Sequence, residues 1–334
     1  MVRLLGVLVM VAVLYLVLMG TSEDARALPN QQTIADYLGF YGILTVGVGV
    51  LIISGGIDLS IGSVVGLGAV CFAKLLERRV PPAAATLLVT AGGAVIGLAH
   101  GLLVTRLRLQ PFLVTLCGLF VYRGLARWLS SSSVGLVVQP RDPDYQSRVN
   151  ALRSVLVGGR PLGIPAQLIW LLLLAAVVGA LLHGTKYGRY LYAIGANEEA
   201  ARYAGIPTDR YKILAYVICS SLAGFGSVLY LLNVYSANPT NAGNLLELFA
   251  ITGAVLGGCS LRGGEGSVAG MVLGAAALPL LRQLVSFGGV GDTLEYVVIG
   301  IALLVGTIVD ELIRRNVFGN AVRWLRRRFA PASG

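Results

Sequence analysis

Apolar runs, most of them near the length of a membrane crossing, follow one another along the chain, separated by short polar or glycine-rich breaks. They fall at residues 4–19, 40–55, 57–76, 83–104, 112–129, 167–183, 213–235, 245–258, 267–287 and 293–309. Each reads as a helix, because a helix satisfies its own backbone polar groups in lipid. The pattern predicts an all-α membrane protein with about ten transmembrane segments, some broken or re-entrant. The run 245–258 is short enough to enter and leave on one side. Composition agrees: 56% of the 334 residues are hydrophobic and 13% charged, with a mean hydropathy of +0.79. A single transmembrane domain over 1–334 is expected, not the two soluble domains that length alone would allow.

Three polar stretches punctuate this pattern. Residues 130–165 read as an extracytoplasmic loop, 184–212 as a cytoplasmic loop between two halves, and 313–334 as a basic tail. Ten crossings put both termini on one side. Lys and Arg are more numerous there, so the termini are expected in the cytoplasm of a bacterial inner membrane. Lys74, Arg78 and Arg79 fall on the opposite side, and nothing in the sequence accounts for them. The first run, preceded by Arg3, is long for a signal peptide and is read as a retained span. Ala25-Arg26-Ala27 resembles a cleavage site and keeps the alternative open.

The net charge of +10 does not point to nucleic acid, since the cations sit in loops and tail and not on a face interleaved with aromatics. Cys71, Cys117, Cys219 and Cys259 stand singly in apolar runs, so no metal site is expected.

The stretch 51–69 carries the chemistry. Ser54-Gly55-Gly56 interrupts an apolar run, and Asp58 follows inside otherwise hydrophobic sequence. Gly55-Gly56-Ile57-Asp58-Leu59 with Gly62-Ser63-Val64-Val65-Gly66 is echoed by Gly257-Gly258-Cys259-Ser260-Leu261 with Gly266-Ser267-Val268-Ala269-Gly270. Paired glycine-interrupted segments in two halves point to a central pathway. Asp58 or Ser60 in the first copy, and Glu265 or Ser267 in the second, can cap the helix that restarts. Asp58 reads first as that cap and second as a contact for substrate. Proton coupling ranks below both, because no second membrane carboxylate lies at a helical spacing from it. Gly62/Gly66, Gly93/Gly97/Gly101 and Gly266/Gly270/Gly274 recur every four residues, which suits close helix packing.

The loop between the halves holds a short helix with a written start and stop. Asn197 is an N-cap, Glu198 and Glu199 fall in the first turn, and Gly205 with Ile206-Pro207 ends it. Thr208 or Asp209 can cap the next helix. A helix this short is marginal alone, so a docking surface is expected.

At these residues the chain resembles a known family. Ser54-Gly55-Gly56-Ile57-Asp58-Leu59-Ser60-Ile61-Gly62-Ser63 is similar to the signature of membrane subunits of bacterial monosaccharide ABC importers, those for ribose, xylose, arabinose and galactofuranose. The galactofuranose type looks nearest. Glu199-Ala200-Ala201 with Gly205 resembles the importer loop that docks onto the ATPase. Leu256-Gly257-Gly258-Cys259-Ser260-Leu261 with Gly264 and Gly266-Ser267, Pro111 through Leu116, and Tyr122-Arg123-Gly124 also match.

The resemblance implies a permease that binds no cofactor itself. Its partners would be a second permease subunit, an ATPase subunit carrying ATP–Mg, and a periplasmic or lipid-anchored sugar-binding protein, with membrane lipid around it. No GxxxxGK[ST] is present. Ser54, Asp58, Ser60, Phe112, Arg123, Asn244 and Glu247 are the expected pathway residues. Asn197, Glu198, Glu199, Ala200, Ala201 and Gly205 are expected to couple to the ATPase. Gly55, Gly56, Gly62, Gly66, Gly257, Gly258, Gly266 and Gly270 are expected to form the breaks and packing contacts. Phe249 stands where the family usually has an acid, which puts the substrate in question.

Three rival functions stand beside this reading. A nucleoside or branched-chain amino-acid ABC permease is the nearest, and an ion-coupled secondary transporter comes next. An intramembrane protease is the most distant, since His100 and His183 are the only histidines and no G-x-S-x-G elbow accompanies them.

Overall fold

The computed structural model describes residues 2–136 and 142–287, and Val297, Gly300, Ile301 and Leu304 individually. The predicted run 293–309, those four residues apart, and the basic tail 313–334 lie outside the described residues. In chain order the helices are α1 (Val2–Thr21), α2 (Glu23–Arg26), α3 (Leu28–Ile53), α4 (Ile61–Glu77), α5 (Pro82–Thr105) and α6 (Pro111–Leu129). There follow α7 (Pro143–Arg153), α8 (Ala166–Gly179, continued by a π-helical turn Ala180–Gly184), α9 (Lys186–Ala196), α10 (Glu198–Tyr203), α11 (Thr208–Val234), α12 (Leu246–Leu256) and α13 (Val268–Phe287). Strands β1 (Val134–Gly135) and β2 (Ser236–Ala237) pair antiparallel into a small ribbon.

Seven of these helices are long and apolar enough to cross a membrane, which makes the chain a multi-pass membrane protein. α4 and α12 are shorter, at 17 and 11 residues. Pro111 opens α6 as its first residue, where a missing N–H costs nothing.

The bundle has two distinguishable ends. Arg79 pairs with Asp142, Tyr145 donates to the Val80 carbonyl, and Gln167 donates to Asn233. These contacts gather α7, the start of α8 and the ends of α4 and α11 around the ribbon, and Asp36, in the first half of α3, pairs with Arg160 at the same end. At the other end, the Gly264 amide donates to the Ile53 carbonyl, and α9 and α10 lie alongside. α3 runs through the middle, buried without interruption from Gly39 to Ile53 and packed by α8, α11, α12 and α13. A helix apolar on all sides can sit only there. α1 lies outside, with Leu18 joining Ile34 and Leu280 in a small separate cluster.

Close packing of α5 on α11 rests on the predicted glycine ladder. A Cβ at Gly93 would fall 2.2 Å from the Ser220 carbonyl oxygen, and one at Gly97 would fall 2.3 Å from that of Tyr216. Gly92, one residue away, faces open space. Gly97→Leu therefore forces the two backbones apart and costs about 3 kcal/mol or more. Gly92→Leu leaves the fold intact. Size-exclusion profiles and melting curves in detergent check the pair; equal stability would refute the ladder's role.

Candidate functional site

The two glycine breaks end their helices in one way. α3 closes with Gly55 N–H donating to Ile52 and Gly56 N–H to Leu51; α12 closes with Gly258 N–H donating to Val255 and Cys259 N–H to Ala254. Both are Schellman ends, with Gly55 at φ 79° and Gly258 at φ 87° in the left-handed position that favours glycine. This corrects the register read from the sequence echo by one residue. Gly55 matches Gly258, not Gly257, and Asp58 matches Leu261, not Ser260. Both units run in the same sense, from the ribbon end inwards, and they come close: a Cβ added at Gly263, just after the second break, would fall 3.0 Å from Gly55 Cα.

The restarts differ. In the second copy Ser267 is the cap, accepting the Gly270 N–H at 3.1 Å, while Glu265 contributes its backbone carbonyl to Ser260. In the first copy the residue before α4 is Ser60, whose side chain makes no cap bond to the helix. Asp58 is not the N-cap either. Its Oδ1 accepts the Ser60 N–H at 2.8 Å and the Ser60 hydroxyl at 2.6 Å, which closes the non-helical link before the helix begins.

The other oxygen of Asp58 faces α5 and α11. Oδ2 lies 3.6 Å from His100 Nδ1 and 3.5 Å from Ser220 Oγ. His100 Nε2 in turn lies 2.9 Å from the Tyr122 hydroxyl. Asp58, His100 and Ser220 are essentially fully buried. His100 is not among the site residues expected from the sequence, where it counts only against a protease. Its spacing held the signal, since residue 100 falls three after Gly97, on the ladder face that packs inward.

The remaining predicted pathway residues separate. Arg123 donates to the Ala242 carbonyl, and Glu247 packs on Gly62, so α4, α6 and α12 meet there. Ser54 is buried and donates to the Leu51 carbonyl within the helix end. Phe112 is half exposed on α6 and joins none of the others.

Asn244 lines a cavity of about 600 Å³ at the ribbon end, between α3, α11, α12 and α13. Its wall carries the rings of Tyr37, Phe40, Tyr41, Tyr230 and Phe249, and the carboxamides of Asn233 and Asn241. Phe249 packs edge-on against Tyr41. Arg282 donates to the Tyr41 hydroxyl and lies over the Tyr37 ring. Asp36 pairs with Arg160 from the 154–165 segment at 3.0 Å. Sequence reasoning found Asn244 and Phe249 but not the cavity, because its lining comes from four helices far apart in sequence. Among the described residues, no group of three His, Cys, Asp or Glu converges as a metal site would require.

At the opposite end, α10 is built as read. Asn197 Oδ1 accepts the Ala200 N–H at 2.9 Å, and Gly205, at φ 81°, ends the helix. Glu198 pairs with Lys212 at 2.8 Å and with Arg202 at 3.1 Å, and Ala201 is buried, which holds α10 against α11. Glu199 points outwards and Tyr203 is 86% exposed. Neither Thr208 nor Asp209 caps α11: Thr208 is its first residue, after Pro207. α9 connects this helix to the breaks. Gly195 packs on the Ile53 carbonyl, and the Tyr192 hydroxyl donates to Gly266 at 2.8 Å. Burial pushes the Tyr192 phenol up to about 12, so it stays a donor near neutral pH.

A family model described as branched-chain amino acid transport system / permease component matches residues 31–326. The ribose import permease of Escherichia coli K12 is 31% identical over 305 residues, 91% of this chain and 92% of that protein. The ribose import permease of Bacillus subtilis is 33% identical, over 81% of each chain. A fructose import permease of Bifidobacterium longum is also 33% identical, over 81% of this chain and 79% of its own. No solved structure matches.

Proposed function

The chain belongs to the branched-chain amino acid transport system / permease component family, and on that premise we propose that it is the membrane permease subunit of an ATP-binding cassette importer for a monosaccharide. The observation that carries the sugar reading is the cavity between α3, α11, α12 and α13. Rings and carboxamides around about 600 Å³ offer what a sugar asks for: flat apolar faces for its C–H groups and paired donors and acceptors for its hydroxyls. Phe249 supplies a ring there in place of a charge.

The ribbon end then faces outwards, with residues 130–165, and receives sugar from a binding protein. The α10 end faces the cytoplasm of a bacterial cell, together with both termini. A second permease subunit completes the pathway. ATP and Mg²⁺ bind to a separate ATPase, which grips α10. Closure of that ATPase pulls on α10, and α9 passes the displacement to Ile53 and Gly266, where both breaks are anchored. The ATPase must bind the two permease states unequally for this to do work.

The reading predicts that the purified chain in liposomes moves no sugar, whereas co-reconstitution with its ATPase and binding protein gives ATP-dependent uptake. Phe249→Ala removes a stacking face, so uptake in that system weakens roughly tenfold while ATPase recovery is unchanged. Uptake by the chain alone on an ion gradient would overturn the proposal and favour a secondary transporter.

A further inference from the structure

Lys74, Arg78 and Arg79 sit at the ribbon end of α4, where the positive-inside pattern does not place cations. The structure supplies a use for two of them. A lateral groove of about 520 Å³ opens beside α4, between α5 and α6. Its walls are Leu67, Cys71, Leu88, Ile96 and Leu129, its floor is Gly93 and Gly224, where α5 meets α11, and Gly92 opens into it. Lys74 and Arg78 are the charged residues of its lining and stand at its mouth.

The charges around that mouth are unevenly satisfied. Arg79 is taken by Asp142 at 3.1 Å, and Lys74 lies 3.0 Å from Glu77, which is not part of the lining. Arg78 is exposed, and its side chain has no partner among the described residues. Next to Leu129 on α6, Trp128 is 80% exposed, as tryptophans are at the level of lipid headgroups. From Val64 to Arg78 the groove follows α4 for about 21 Å, at about 1.5 Å per residue. One leaflet of a hydrocarbon core is about 15 Å deep, half of about 30 Å. The groove therefore runs from the headgroup level to near the midplane, apolar below and cationic at the top.

We propose that this groove is a binding site for one anionic phospholipid, with an acyl chain along α4 and α5 and the headgroup phosphate on Lys74 and Arg78. The occupant is a lipid and not free phosphate, because nearly all of the lining is apolar. The site is separate from the sugar cavity, which lies on the other side of α11 against α3 and α12. It gives the misplaced cations a role: they hold a lipid and do not set topology.

The test is native mass spectrometry of the purified full chain, released from detergent after incubation with equal amounts of dioleoyl phosphatidylglycerol and dioleoyl phosphatidylcholine. The chain retains phosphatidylglycerol over phosphatidylcholine by roughly fivefold or more, about the effect of one surface cation. Lys74→Gln with Arg78→Gln removes the preference. Gly92→Leu adds bulk at a lining position where a Cβ meets nothing within 4 Å, and lowers retention of both lipids. Unchanged preference in the double variant, or unchanged retention in Gly92→Leu, overturns the proposal. So does stripping of the lipid by inorganic phosphate alone, which would mean a simple anion site. Efficient crosslinking of two copies through Gly92→Cys overturns it in another way, since the groove would then be a permease–permease contact.

Discussion

Tyr203→Ala lowers recovery of the ATPase subunit with this permease by about thirtyfold, the effect of removing a central aromatic anchor from an interface. The ring is 86% exposed on a helix of six residues, and a solvated linker has no use for either. Glu199→Lys acts in the same direction, because its side chain also points away from the bundle. Glu198 acts differently. It is committed to Lys212 and Arg202, so Glu198→Ala loosens α10 from α11 and lowers recovery less. Adding Lys212→Ala to Glu198→Ala then costs little more, since both remove one contact. Co-purification from detergent extracts measures all four variants. Full recovery with Tyr203→Ala would mean that the ATPase grips another surface.

Asp58→Ala collapses the yield of folded protein, whereas Asp58→Asn keeps it. Asp58 is fully buried and accepts two hydrogen bonds from Ser60 while facing His100 and Ser220. Removing the carboxylate leaves the buried Ser60 donors unmatched, at about 1–3 kcal/mol for each. Asparagine retains an acceptor oxygen for Ser60. His100→Ala adds little to Asp58→Ala, because the two share one network. Monodisperse yield and melting temperature in detergent report the outcome. Normal folding of both Asp58 variants, with loss of transport, would show that the residue serves the substrate and not the break.

Much of this was legible from local pattern. Asn197, Glu198 and Gly205 spell out α10 because capping is decided by residues within one turn of each other. Pro111 marks the start of α6 for the same reason. Gly93, Gly97 and Gly101 announced a packed face, though not that α11 is the partner. Letter identity puts the echo of the two glycine breaks one residue out of register. Identical letters align Gly55 with Gly257, but the left-handed position of each helix end belongs to Gly55 and Gly258. Hydrogen bonds to carbonyls three and five residues back define that position, and letters alone do not record them.

The sequence by itself determined the membrane habitat, the order of the helices, the two interruptions and the short capped helix between the halves. Each of these depends on hydropathy or on interactions within a few residues. Only the tertiary structure decided what Asp58 does, since His100 and Ser220 reach it from helices 42 and 162 positions further along the chain. It alone brought rings from α3, α11 and α12 around one cavity, and it alone set Lys74 and Arg78 at the mouth of an apolar groove. Contacts between helices depend on how the bundle is packed, and no local window of sequence contains that.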